Sequence, residues 1–545
     1  LETAQCYPLH WLIGGQSRRQ QWSCLPLAEF LATEPYSFKP YLNIAIPYVS
    51  SLTKQWEPRI QQADHQELPL VAVQQTLVMI LKTLAPTSWD TTKATCVVEN
   101  LAPNQLRGIL QHVTIVVVNH PVGASDAYRF NIREAILDAG LVPQPDQICF
   151  VEDVVAAFLP ELPIFNNGFT GSFTNSSTDS LTGNILVVSA GATTTDLALV
   201  KPGQVSSSFN QENLSRENLL LRRMAYAGNA LDQDIIYQLL NPSSSDWESL
   251  GLRDLDQPLP GEPDLETRYR LQQRLEARKL GRSLLKAIRQ VKPALCRGDI
   301  SFRIGDREYS LRYQDLHNWV IAPYAEQLGR EMNSLLRQAN VENTTIQRVI
   351  CAGGTASIPA IAHWLQQKFP QAQIVQDSSS NTNTDVFHSP RIAQGLARLP
   401  YFPDLLDATR HQYSELFLLR QMLKVLTNHT DQSLSKGRIL QLLAARGIPI
   451  QRCEPIILGF LEGQLPIGLI PSRAIAAILT PESRQNQDYQ SLLNNALFAS
   501  QGNQIYRLSS KQRYRLWNHL QAILAHTQQK LKAPLAIGVG VGDGR

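Results

Sequence analysis

A chain of 545 residues is long enough for two or three domains with sizeable cores, and 43% apolar with 18% charged residues is a globular composition. The net charge of +3 leaves no global electrostatic footprint for nucleic acid or a membrane surface, so any basic surface must be local. The seven cysteines are scattered without a C-x-x-C pair, no long uncharged apolar run occurs, and the N-terminus lacks a signal-peptide layout. The expectation is therefore a cytoplasmic protein with neither a zinc site nor a disulfide framework, which binds no nucleic acid and no membrane. Because the chain opens on Leu1, a removed N-terminus or a longer parent product is also expected.

Residues 1–70 mix Pro, Gln and aromatic side chains and carry no clear periodicity. From Val71 to Leu84 the apolar residues Val73, Leu77, Ile80, Leu81 and Leu84 share one helical face, which predicts a helix. Val113–Val118 reads as a buried strand, Ala127–Ala139 as a helix closed by Gly140, and Ile148–Glu152 as a second strand. This alternation is the mark of an α/β domain. Asn166–Asn184, rich in Gly, Ser, Thr and Asn, interrupts it as a surface loop.

The stretch around which the rest is organised follows at once. Ile185–Val188 and Leu197–Val200 are aliphatic runs that read as a hairpin, joined through Ser189-Ala-Gly-Ala-Thr-Thr-Thr-Asp196. That turn holds only small or hydroxylic side chains before one carboxylate, so backbone N–H groups and hydroxyls can approach an oxyanion such as phosphate.

Further on, Ala230–Leu240 is expected to be helical and Pro242–Asp264 an exposed connection. Leu265–Val291 reads as one long helix, basic but with leucines at helical spacing, hence a solvated amphipathic helix and not a nucleic-acid surface. Ile300–Leu311 alternates as a hairpin, Trp319–Ala339 and Pro359–Phe369 are helical, and Arg348–Ala352 is a strand running into Gly353 and Gly354. Ser378–Thr384 is a polar loop. Beyond Tyr401 the pattern turns to helix after helix: Glu415–Thr427, Ile439–Ala445, Ala474–Leu479 and Tyr514–Leu531, with Pro and Gly breaks over Gly447–Pro471. The glycine-rich tail from Ala536 is flanked by no strand or helix and reads as a loose end, not a dinucleotide loop.

Six features in order resemble the nucleotide-binding domain of the seventy-kilodalton heat-shock (DnaK-type) chaperones, within the actin-like ATPase superfamily. Pro121-Val-Gly-Ala-Ser-Asp-Ala-Tyr-Arg129 has the spacing of that family's Pro-to-Arg switch segment, and Glu152-Asp-Val-Val-Ala-Ala157 keeps the Glu and alanines of its connecting helix. Ser189–Asp196 resembles the second phosphate loop, and Ala227-Gly-Asn-Ala-Leu-Asp232 the Gly-Gly-x-x-Phe-Asp step. Glu276-Ala-Arg-Lys-Leu-Gly-Arg-Ser283 matches the adenosine-side helix, and Ala352-Gly-Gly-Thr-Ala-Ser-Ile-Pro359 the adenosine loop. The resemblance spans residues 70–400.

What it implies is a two-lobed actin-like ATPase (ribonuclease H-like) α/β fold with a C-terminal all-helical extension: a first lobe over 1–184, a second lobe and return over 185–400, and the extension over 401–545. ATP or ADP and Mg²⁺ are the implied ligands. Gly191, Ala192, Thr193 and Thr194 would take a phosphate together with Gly228; Glu276, Lys279 and Ser283 would touch adenosine from one side and Gly353, Gly354 and Thr355 from the other. Asp196 would hold the metal, and Glu152 and Asp196 would be the catalytic carboxylates. Departures weaken turnover: Ser189 replaces an Asp, Thr193 a Gly, Leu280 and Ser357 two adenine-packing arginines, and the first phosphate hairpin is missing, Leu12-Ile-Gly-Gly-Gln16 being its nearest counterpart. The resulting expectation is an ATP-binding, chaperone-related clamp with weak or absent hydrolysis, whose helical extension docks a protein partner. The alternatives are a non-catalytic scaffold, or an actin-like filament or sugar-kinase-like member of the same superfamily.

Overall fold

The computed structural model describes residues 39–45, 59–63, 66–85, 102–162, 183–202, 214–240, 250, 252, 256–376, 391–407, 412–470, 472–485 and 496–531. Most of the expected loop Asn166–Asn184, the loop Ser378–Thr384, the segment Leu12–Gln16 and the glycine-rich tail lie outside these residues. What is described is a mixed α/β protein.

The first sheet region begins with β1 (Arg59–Ala63) and β2 (Gln66–Pro69), an antiparallel hairpin that runs into α1 (Leu70–Lys82). After α2 (Pro103–Gln111), β3 (Val116–His120), α3 (Asp126–Asp138), β4 (Ile148–Glu152) and the short α4 (Asp153–Phe158) follow. β3 and β4 are parallel and pair from Val116 with Ile148 to His120 with Glu152. The α3 helix starts where Ser125 Oγ accepts the Tyr128 amide at 3.1 Å, an N-cap that satisfies one of the first-turn donors. Unlike a surface helix it is buried on every side from Asp126 to Ile136, charged residues included.

Then come β5 (Asn184–Ala190), β6 (Thr195–Val200), β7 (Leu219–Met224), α5 (Gly228–Ile235), α6 (Leu265–Ala277) and α7 (Lys279–Leu295). The hairpin β8 (Ile300–Ile304) and β9 (Arg307–Leu311), α8 (Ala322–Ala339), β10 (Ile346–Ala352), α9 (Pro359–Lys368), β11 (Gln373–Gln376) and α10 (Arg391–Arg398) complete this part. The expected β5–β6 hairpin is the centre of a five-stranded sheet in the order β11-β10-β5-β6-β7, with β10 parallel to β5 and β11, and β6 antiparallel to both neighbours. Both faces are covered, because alternate residues enter different cores. Leu186, Val188, Leu197, Leu199, Val349 and Cys351 pack under α6, α7, α8 and α9. Ile185, Val187, Ala198, Val200 and Ile350 pack under α4 and the segment around Leu399 and Phe402.

Two sequence expectations are corrected in this part. The long basic helix is two helices: Arg278 leaves the helical region at φ −111° and ψ 144°. Arg282 Nη1 caps the freed Glu276 carbonyl at 2.7 Å, and Gly281 lies so near that a Cβ there would come 2.1 Å from the Leu275 carbonyl oxygen. The connection Pro242–Asp264 is not simply exposed, since Leu250 and Leu252 are buried in the core beneath the sheet.

The C-terminal region has α11 (Glu415–Val425), β12 (Ser433–Ser435), α12 (Lys436–Ala445), α13 (Ile450–Leu461), β13 (Phe498–Ser500), β14 (Ile505–Leu508) and α14 (Ser510–Ile523). It is therefore not all-helical: β12, β14 and β13 form an antiparallel sheet in that order. Strands of three or four residues, two of them far apart in sequence from the third, leave no alternation long enough to read. Ser414, Ser435 and Ser509 cap α11, α12 and α14 through their hydroxyls. This region has its own core and is seated on α3, whose Ala127 and Phe130 belong to that core. Glu134 on α3 accepts hydrogen bonds from Thr527 Oγ1 (2.7 Å), the Gln528 amide (2.8 Å) and Gln529 Nε2 (2.7 Å), and Asp126 accepts one from the Leu416 amide (3.2 Å).

Candidate functional site

Two segments, Gly228–Asn229 and Gly353–Thr355, converge on the β5–β6 turn, three converging segments in all. The Gly191 carbonyl accepts from the Gly228 amide at 3.1 Å and from Thr355 Oγ1 at 2.7 Å, and the Ala192 carbonyl accepts from the Asn229 amide at 2.8 Å. The Ala190 carbonyl accepts from the Thr355 amide at 3.0 Å. Gly353, at φ +88°, lies so close to it that a Cβ there would stand 2.5 Å from the Ala190 oxygen. Glycine is required at that corner on both counts, conformation and space.

These bonds orient the turn. All described peptide bonds are trans, and a trans peptide points its C=O and N–H in opposite directions. With the Gly191 and Ala192 carbonyls drawn into the protein, the amides of Ala192 and Thr193 are directed outward, beside the exposed Gly191, Ala192 and Gly354. The first turn of α5 starts beside this turn, its leading amides at Gly228 and Asn229 spent on the Gly191 and Ala192 carbonyls. An anion is the ligand that such a rim favours.

The turn rests on a buried polar network. Thr195 Oγ1 donates to the Tyr226 carbonyl (2.7 Å) and meets Tyr324 Oη (3.0 Å); Tyr226 Oη donates to Asp234 (2.5 Å). Arg268 Nη1 bonds Asp234 at 2.9 Å and its guanidinium lies 4.7 Å over the Tyr226 ring. Asp232, in the second turn of α5, pairs with Lys292 (2.6 Å) and Arg289 (3.6 Å), and Lys292 Nζ also reaches the Gly228 carbonyl at 3.1 Å. Arg289 and Lys292 both lie on α7, Arg289 within the stretch expected as a solvated amphipathic helix and Lys292 one residue past its expected end; their spacing of three residues is the one signal that could have singled them out.

Of the residues expected from sequence, Gly191, Ala192, Thr193, Thr194, Gly228, Gly353, Gly354 and Thr355 all lie in the three converging segments. Glu276 lies at the end of α6 and Lys279 and Ser283 in the first turns of α7, a helix that meets α5 through Arg289 and Lys292, thirteen residues or about 20 Å along the axis from Lys279. Glu276 accepts a hydrogen bond from Gln272 and Lys279 is exposed.

The two carboxylates are already engaged. Asp196 is buried in β6 and its Oδ2 accepts the Val122 amide at 2.9 Å, which ties the segment after β3 to the β5–β6 hairpin. Glu152, at the end of β4, is held by Arg216 through both guanidinium nitrogens, one at 2.6 Å. Burial alone would push the Glu152 carboxyl up, yet the Arg216 hydrogen bonds and charge, with His120, hold it below the ordinary carboxylate range. His120, its neighbour across the strands, is held below its usual value chiefly by burial. With Asp196 on an amide and Glu152 on a guanidinium, and no cluster of three or more His, Cys, Asp or Glu suited to a metal among the described residues, the donor set does not fit a protein-held Mg²⁺.

No protein-family model matches the chain, and no curated protein sequence matches it. Among the described residues no helix is long and apolar enough to cross a membrane, and Cys149, Cys296, Cys351 and Cys453 form no disulfide there.

Proposed function

We infer that this chain binds an adenine nucleotide, ATP or ADP, as a DnaK-like clamp with weak or absent hydrolysis and a chaperone-related role in the cytoplasm. The observation that carries the reading is the outward pair of amides at Ala192 and Thr193, held by the convergence of Gly191, Gly228 and Thr355. The strand order gives further support: a three-strand antiparallel meander extended by two parallel strands is the pattern of ribonuclease H-like sheets, from which actin-like ATPase lobes are built. The Asp196–Val122 bond and the seat of the C-terminal region on α3 supply a physical route by which occupancy of the turn reaches that region.

Gly191 has open space around its Cβ position, so Gly191→Glu leaves the fold intact and sets a negative charge on the rim. Calorimetric titration with ATP should show binding by the native chain and at least a tenfold loss in this variant, about 1.4 kcal/mol or more. No heat from the native chain, or equal affinity in the variant, defeats the reading.

A second reading, a non-catalytic scaffold on the same fold, is favoured by the engagement of Glu152 with Arg216. Failure to bind ATP while the fold persists would leave it standing.

A further inference from the structure

In chain order the C-terminal region presents α11-β12-α12-α13, then two four-residue helices at Arg473–Ala476 and Pro481–Arg484, then β13-β14, with β14 between β12 and β13 in the sheet. With the stretch between α13 and β13 taken as an insertion, that is the connectivity of a winged helix-turn-helix, in which α12 and α13 form the paired helices and the β13–β14 loop the wing. The four-residue turn Arg446-Gly447-Ile448-Pro449 joins the helices, with Gly447 at φ +92°. Contacts fix the parts on one side: the Lys436 amide at the start of α12 bonds the Gln504 carbonyl of the wing at 2.9 Å, and Lys436 Nζ meets Glu454 of α13 at 2.9 Å.

Charge is concentrated here. Residues 412–461 and 496–531 contain eleven Lys and Arg against three Asp and Glu, a net +8, so the remainder of the chain is net −5 and the total of +3 conceals the difference. Residues 496–531 hold no carboxylate at all. Arg438 on α12, Arg446 in the turn, Arg452 on α13 and Arg507 on the wing strand are exposed. Glu454, the one carboxylate between the paired helices, is neutralised by Lys436, and Glu462 lies beyond the C-terminal end of α13, away from its first turn. That first turn exposes Gln451 and Arg452, residue types whose side chains read adenine and guanine edges bidentately. The wing tip, Gln501-Gly502-Asn503-Gln504, is exposed and uncharged, and three of its residues are in left-handed conformation.

We propose that this module docks duplex DNA, with α13 entering the major groove and Arg438, Arg446, Arg452 and Arg507 on the phosphates and groove edges. The surface is separate from the nucleotide rim and does not rest on the ATP reading. The test is fluorescence anisotropy of a labelled 24-base-pair duplex with the full chain at 50 and 200 mM salt. About four phosphate contacts give a slope of log affinity against log salt near −3.6, a loss of roughly a hundredfold over that interval. The double variant Arg438→Glu/Arg507→Glu should bind at least tenfold more weakly with a slope shallower by about two, whereas Lys286→Glu, exposed on α7, should leave both unchanged. Absence of binding at 50 mM salt, a double variant equal to the native chain, or equal weakening by Lys286→Glu overturns the proposal. Tighter binding of a single strand of the same length overturns the duplex assignment. Circular dichroism of each variant separates lost binding from lost fold.

Discussion

Replacing Gly353 by Ala should undo the junction on which the candidate site depends. The residue holds φ +88°, a conformation that costs an L side chain about 1–2 kcal/mol, and the added Cβ would stand 2.5 Å from the Ala190 oxygen. That oxygen cannot retreat freely, since the amides of Thr355 and Ala356 bond to it at 3.0 and 3.4 Å. Overpacking against fixed backbone adds about 1–3 kcal/mol, so local destabilisation near 3 kcal/mol is expected. Native-state hydrogen exchange with mass spectrometry reads it: peptides within 184–200 and 346–356 should exchange roughly a hundredfold faster, at about 1.4 kcal/mol per tenfold. Gly191→Ala is the matched control, because its Cβ meets nothing within 4 Å, and it should change exchange less than about threefold. If Gly353→Ala exchanges no faster than the control, the turn and the Gly353 corner are not packed as described, and the outward amides lose their support.

Two further tests use pH. Burial raises the Glu134 carboxyl above its ordinary value, against the opposing hydrogen bonds from Thr527, Gln528 and Gln529. A raised acid stabilises most fully below the unfolded value, and that contribution is lost as pH rises through the folded one, so Glu134→Gln should gain stability relative to the native chain as pH rises from mildly acid to neutral. Urea midpoints across that range measure it, and a difference independent of pH would refute the assignment. Glu152 runs the other way: its carboxyl is lowered, so the Arg216 pair contributes above the unfolded carboxylate value and fades as pH falls through the folded one. Arg216→Ala should therefore cost about 1–2 kcal/mol at neutral pH, the estimate reduced because Arg216 is one-third exposed, and much less in acid; an equal loss at both pH values would rule the ion pair out as the cause.

How much was legible can be followed residue by residue. Glycines needed for close approach were visible from their positions: Gly228 and Gly353 stand within short motifs beside aliphatic strands, and both meet the β5–β6 turn. Glu276, Lys279 and Ser283 matched a motif equally well, yet they fall on two helices, Glu276 at the end of α6 and the other two at the start of α7, because a motif fixes spacing along the chain and not the direction in which a helix is laid. The break at Arg278 was hidden, since the leucine period continues through it; it brings Gly281 so close to Leu275 that no Cβ would fit there. Pro455 made α13 look like a broken stretch, although the helix runs through it from Ile450 to Leu461.

The sequence by itself determined the α/β alternation, the aliphatic strands β5, β6 and β10, and the serine-capped starts of α3, α11, α12 and α14, because side-chain periodicity and capping chemistry act within a few residues. Only the tertiary structure decided that Asp196 bonds Val122, that Glu152 is claimed by Arg216, that α3 is buried beneath the C-terminal region and that a basic winged module forms from strands some sixty residues apart. The physical reason is that these are pairings between distant segments, and which donor meets which acceptor is settled by how whole sheets and helices cover each other's apolar faces, a choice no local pattern encodes.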